Sequence, residues 1–159
     1  MIYDEDKIES LLRKMMAGAI TGTLYGLLLA LFFPSSGVEI SSVRDYIWQF
    51  VESVPIYLMF TVPVILIYGG LTSYISDLIG KWMEKRTNKR VEVLFSLILH
   101  MLFGLILLWI SFFAALLYFI VDRFLKVKVK TYKAIYSLWI MTIPVFVWLV
   151  FMTMVWKKG

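Results

Sequence analysis

Apolar and polar positions fall in long blocks along this chain, and the apolar blocks have the length of membrane-crossing helices. Four apolar runs, over residues 15–33, 54–79, 91–120 and 134–156, are separated by segments that hold nearly all the charge. About 20 apolar residues in a helix span a hydrocarbon core ~30 Å thick. The pattern therefore predicts an all-α integral membrane protein with four transmembrane helices in a single domain, 1–159. The first run is too long for a signal peptide and lacks a small-residue cleavage site, so it reads as an uncleaved span that Pro34 ends. Between the first two runs, Ser42 followed three residues later by Asp45 predicts a helix cap. Val43, Ile47, Phe50, Val51 and Val54 then share one face. That segment reads as a short amphipathic helix in the interface, with Tyr46 and Trp48 at headgroup level.

Finer patterns lie within the runs. Gly18, Gly22, Gly26 and Ala30 recur every fourth residue and form one small-residue face for close helix packing, either between copies of the chain or within it. Pro63 removes an interior hydrogen bond from the second run and should kink it. The third run is longer than one crossing needs, so it must tilt, kink or emerge. Along it Ser96, His100, Gly104, Ser111, Ala115 and Tyr118 form a small and polar strip that should face protein.

The sharpest constellation lies around the basic turn with Lys81, Lys85, Arg86, Lys89 and Arg90. Before it come Gly70, Ser73 and Asp77 at helical spacing, and after it Ser96 and His100. Ionisable groups within membrane segments usually face a protein interior and serve a purpose. If the second helix stops at Gly80, Asp77 pairs with Lys81 at the surface. If it continues to a turn at Thr87 and Asn88, Asp77 comes near Ser96 and His100. A carboxylate and an imidazole so placed would relay or store a proton, which makes Asp77, His100, Ser73, Ser96 and Ser111 the candidates for a proton or ion pathway.

Composition narrows the class. The chain is 61% hydrophobic, with a mean hydropathy of +0.84, above the ~45–50% apolar content of soluble domains. With no cysteine and one histidine, thiolate metal sites, disulfide chemistry and bis-histidine haem ligation are excluded. There is no metal-ligand cluster, phosphate-cradling loop or nucleophile elbow, so a non-enzymatic protein without cofactor or metal is expected. The net charge of +5 sits beside apolar segments, which points to anionic lipid headgroups rather than nucleic acid.

Four crossings with both termini in the cytoplasm place ten Lys and Arg inside and six outside. A re-entrant third segment, bending back near Gly104, would make the split thirteen to three, but irregular backbone at membrane depth must then be buried by protein. Four crossings are the expectation. The loop over residues 122–133 then carries its basic residues outside, against the charge rule.

Tyr68, Gly69, Ser73, Ser76 and Asp77, the basic turn, and then His100, Phe103 and Gly104 resemble the central hairpin of uncharacterised small four-helix membrane proteins of Gram-positive bacteria and their prophages. That resemblance covers about a quarter of the chain; it implies four helices in a bacterial cell membrane and lends no activity. The leading expectation is a polytopic protein that self-associates or binds a membrane or cytoplasmic partner, with an immunity or defence role. An oligomeric channel or pore-forming effector and a proton-coupled transporter using Asp77 and His100 are the alternatives.

Overall fold

The structure, a computed structural model, describes residues 2–34, 39–87, 92–106, 109–129 and 134–158. Every secondary-structure element among them is helical: α1 (Ile2–Phe32), α2 (Val43–Val64), a π-helical turn (Ile65–Gly69), α3 (Gly70–Thr87), α4 (Glu92–Ile106), α5 (Trp109–Lys128) and α6 (Ala134–Lys158). Among the described residues three stretches, Ile8–Phe32, Val43–Arg86 and Ala134–Lys158, are long and apolar enough to cross a membrane.

α1 closes with Phe33 N–H donating to the Leu29 carbonyl, just before Pro34, whose missing N–H cannot extend the helix. α2 begins at the expected cap, where the Ser42 side chain accepts from the Asp45 N–H. The segment expected to form a separate interfacial helix is instead the start of α2, which continues unbroken to Val64. The cause is burial: Val51 and Val54, on its apolar face, are buried, Val54 in one cluster with Ala30 of α1, while Val43 and Ile47 are exposed. The disturbance expected at Pro63 takes the form of the π-helical turn that starts two residues later, where the hydrogen-bond ladder re-forms past the missing donor.

The small-residue face of α1 is used inside the chain. A Cβ at Gly18 would meet Leu66, one at Gly22 would lie 2.9 Å from Val62 Cα, and one at Gly26 would meet Leu58 and Thr61. Ala30 packs in one cluster with Val54 and Leu58. The two columns, each stepping by four residues, run antiparallel and bring the backbones together, so that Thr61 Oγ1 donates to the Gly22 carbonyl at 3.0 Å.

The third apolar run departs from expectation. It is two helices folded back on each other, with residues 107–108 between them. The His100 and Tyr118 rings lie 5.4 Å apart, and Ser96 meets Arg123 at 2.8 Å, so each step forward on α4 is matched by a step back on α5. The physical reason is polarity: folding turns Ser96 towards Arg123 and His100 towards Tyr118, which buries both polar positions of α4 within the chain. α3 packs on α4 and α1 on α5, flanking this hairpin from both sides. α6 packs on α1 and α2; its Lys158 bonds Glu52 at 2.6 Å and lies over the Trp48 ring, at the α2 N-terminal end. The start of α1 and the end of α6 therefore lie at opposite ends of the bundle, not at the same end as four crossings would put them.

Candidate functional site

Four helices converge on one cluster of charge at the end of the bundle where α1 begins. α1 supplies Arg13 and Lys14, α3 supplies Ser73 and Asp77, α4 supplies Ser96 and His100, and α5 supplies Tyr118, Asp122 and Arg123. Helical spacing by four puts Ser73 with Asp77, Ser96 with His100 and Tyr118 with Asp122 on single faces. Lys14 Nζ lies 2.8 Å from Asp77 Oδ2, donates to Ser73 Oγ at 2.6 Å and stands 3.9 Å from Asp122 Oδ2. Arg13 pairs with Asp122 through a short contact to Oδ1 and a 3.3 Å bond to its carbonyl, and its other nitrogen is 3.6 Å from Asp77. Arg123 Nη2 donates to Asp77 Oδ1 at 2.7 Å and to Ser96 Oγ at 2.8 Å, while Ser96 Oγ donates to the same Asp77 oxygen at 2.8 Å. Tyr118 closes the cluster by donating to the Lys14 carbonyl at 2.8 Å.

Arg13, Lys14, Asp77 and Asp122 are all buried, and the Arg123 side chain is 15% exposed. Among the described residues three cations thus face two carboxylates, an excess of one positive charge. Taking charges out of water is costly, and only full mutual pairing offsets it. Asp77 is central, bonded to Lys14, Ser96 and Arg123. That makes it a fixed counter-ion that ties α1, α4 and α5 to α3.

His100 stands beside this cluster with neither of its polar atoms paired among the described residues. It is 2% exposed. Its ring forms part of the wall of a cavity of about 390 Å³ between α1, α2, the π-helical turn and the hairpin. Thr72, His100 and Tyr118 line the end next to the charge cluster, and Tyr25, Leu29 and Phe60 line the other. From Phe60 to Thr72 is 12 residues, about 18 Å along a helix. Phe60 and Val64 are exposed on its rim, so the cavity opens sideways through an apolar face of the bundle. Its size lies in the lower part of the ~300–1,000 Å³ range of ligand pockets.

α3 runs on to Thr87, so Asp77 and Ser96 do meet, as the longer of the two helix readings requires, and Ser73 joins them through Lys14. Asp77 and His100 do not hydrogen-bond to each other. Ser111 lies on the cavity wall. Lys81, Lys85 and Arg86 are exposed at the end of α3, with Arg86 over the Trp82 ring; Lys89 and Arg90 lie outside the described residues. Gly104 lies within α4, and its expected packing role falls on a position whose surroundings are outside the described residues.

Sequence reasoning missed Arg13, Lys14, Asp122 and Arg123, reading them as flanking surface charges. One signal was present: the strip through Ser111, Ala115 and Tyr118, extended by four more residues, arrives at Asp122. Among the described residues no group of three or more His, Cys, Asp or Glu side chains is placed to hold a metal ion. Compared with known proteins, the chain matches no family model, no curated protein and no solved structure.

Proposed function

We propose that this chain is a membrane protein whose lateral cavity binds a single-chain amphiphile taken from the bilayer, with His100 as hydrogen-bond partner of its head. The observation that carries the reading is His100 itself. A buried polar group without a partner costs about 1–3 kcal/mol, and this one forms the wall of a cavity that is otherwise largely apolar and open towards lipid. A ligand with a polar head at the His100 end and an apolar tail at the Phe60 end satisfies both surfaces.

In this reading α1, the continuous stretch Val43–Arg86 and α6 cross the membrane, and the α4–α5 hairpin enters and returns on one side. Lys and Arg then divide thirteen to three rather than ten to six, which puts the start of α1 in the cytoplasm and the end of α6 outside. Both basic segments, around residues 81–90 and 122–133, fall on the cytoplasmic side. The helices flanking the hairpin answer the requirement that protein cover a re-entrant segment. A proton-coupled transporter draws less support, since Asp77 is already bonded to three groups. So does a pore built on the glycine face, since Gly18, Gly22 and Gly26 are engaged within the chain.

The test is to purify the full chain in mild detergent and identify co-purifying lipid by mass spectrometry, beside Ala115→Phe, which places a ring in the cavity. Wild type is expected to retain an amphiphile and Ala115→Phe to bind it at least about tenfold less tightly. A wild-type protein that carries none, and binds none when offered a panel of single-chain amphiphiles, overturns the reading.

A further inference from the structure

The residues behind His100 bear on the charge of the ligand's head. Ser96, one turn before His100 on α4, is bonded to Arg123 and Asp77, and Tyr118, whose ring lies 5.4 Å from the His100 ring, is bonded to Lys14. The polar end of the cavity thus backs directly on the cluster in which, among the described residues, Arg13, Lys14 and Arg123 face Asp77 and Asp122. Two further donors of Arg123, Nε and Nη1, are buried without a partner among the described residues. A buried excess of one positive charge raises the local potential in a medium where charges are weakly screened. A cationic head at His100 would add to that excess, a neutral head would leave it, and an anionic head would cancel it.

We infer that the cavity selects an anionic head, a carboxylate or a phosphate monoester, on a single apolar chain; this rests on the amphiphile reading above. The head accepts a hydrogen bond from a His100 ring N–H and supplies the missing negative charge one helical turn from the cluster. The tail runs past Ile65 and Ala114 towards Phe60 and Tyr25. The small volume of the cavity favours one chain over two.

The full chain is placed in discs of phosphatidylcholine at alkaline pH, where a fatty acid is ionised, and offered oleate, oleyl phosphate, oleyl alcohol and oleylamine. Each affinity is corrected for partition into empty discs. Oleate and oleyl phosphate are expected to bind about tenfold more tightly than oleyl alcohol, the return from one charge-assisted hydrogen bond, with oleylamine weakest. His100→Gln, which keeps a donor, is expected to preserve that preference and His100→Leu to abolish it. If His100→Leu does not fold, the wild-type comparison alone decides. Equal binding of oleate and oleyl alcohol overturns the charge inference and leaves the amphiphile reading standing. No binding of any probe overturns both. Inorganic phosphate, which has charge without a chain, is expected to leave oleate bound; displacement by it would make this an ion site and overturn the inference.

Discussion

α1 is held by two kinds of contact, one in each half. Its first half presents Arg13 and Lys14 to Asp77 and Asp122, and its second presents Gly18, Gly22, Gly26 and Ala30 to the column of Leu66, Val62, Leu58 and Val54. Between helices in a bilayer, apolar burial gives little drive, so association rests on close contact and on hydrogen bonds. The glycine half uses the first and needs only two helices. The charged half uses the second and needs four, because each ion is stable only while its partners on α3, α4 and α5 are in place. The lesson is a division of labour: the glycine half joins α1 to α2, and the charged half fixes the hairpin to that pair.

Substitutions in the two halves should therefore fail differently. The largest effect is expected from Asp77→Ala, which leaves Lys14 and Arg123 buried without their carboxylate and should cost about 3–5 kcal/mol. Reversible denaturation in detergent measures it, and hydrogen exchange should show α4 and α5 losing protection while α1 and α2 keep theirs. Equal loss in all helices would erase the distinction. Gly22→Leu should cost about 1–3 kcal/mol by overpacking, because the new Cβ meets the Val62 backbone, and here exchange should rise first in α1 and α2. Gly26→Ala is milder, since the atoms in its way are the ends of the Leu58 and Thr61 side chains, which can move. Smallest of all is Lys158→Ala, outside both halves. Its pair with Glu52 is partly exposed, so the same denaturation experiment should register under about 1 kcal/mol.

Much of this was legible from local pattern. The helical class, the stop at Pro34, the cap at Ser42 and the glycine face all follow from spacing over a few residues, whereas the meeting of Asp77 with Ser96 was one of two readings that depended on where α3 ends. The fold-back in the third run did not follow from such spacing, because the letters between Gly104 and Ser111 are apolar without a break and carry no turn signal. Its traces are the charge split, which favoured a bend near Gly104, and the polar strip, which steps by seven residues at that point where elsewhere it steps by three or four. The charge cluster was hidden for another reason. Arg13 and Lys14 look like ordinary flanking cations until Asp122, far along the chain, is brought against them, and no local window contains both. His100 was expected to face Asp77, but both its ring nitrogens are without a partner among the described residues and its ring lines a cavity.

The pairing of Arg13 with Asp122 spans 109 residues of chain. A ribosome adding ~5–20 residues per second takes roughly 5 to 20 seconds to make that distance. Throughout that interval α1 and α2 have all they need to dock along the glycine face, while Arg13 and Lys14 wait without their second carboxylate. In the membrane arrangement proposed above, the newborn helix must hold its cations at the wet edge of the bilayer, in water or against lipid phosphate, and draw them inward only as the hairpin arrives. Biogenesis of this protein thus has a built-in order, contact first and charge last, and its most vulnerable moment is the gap between the two.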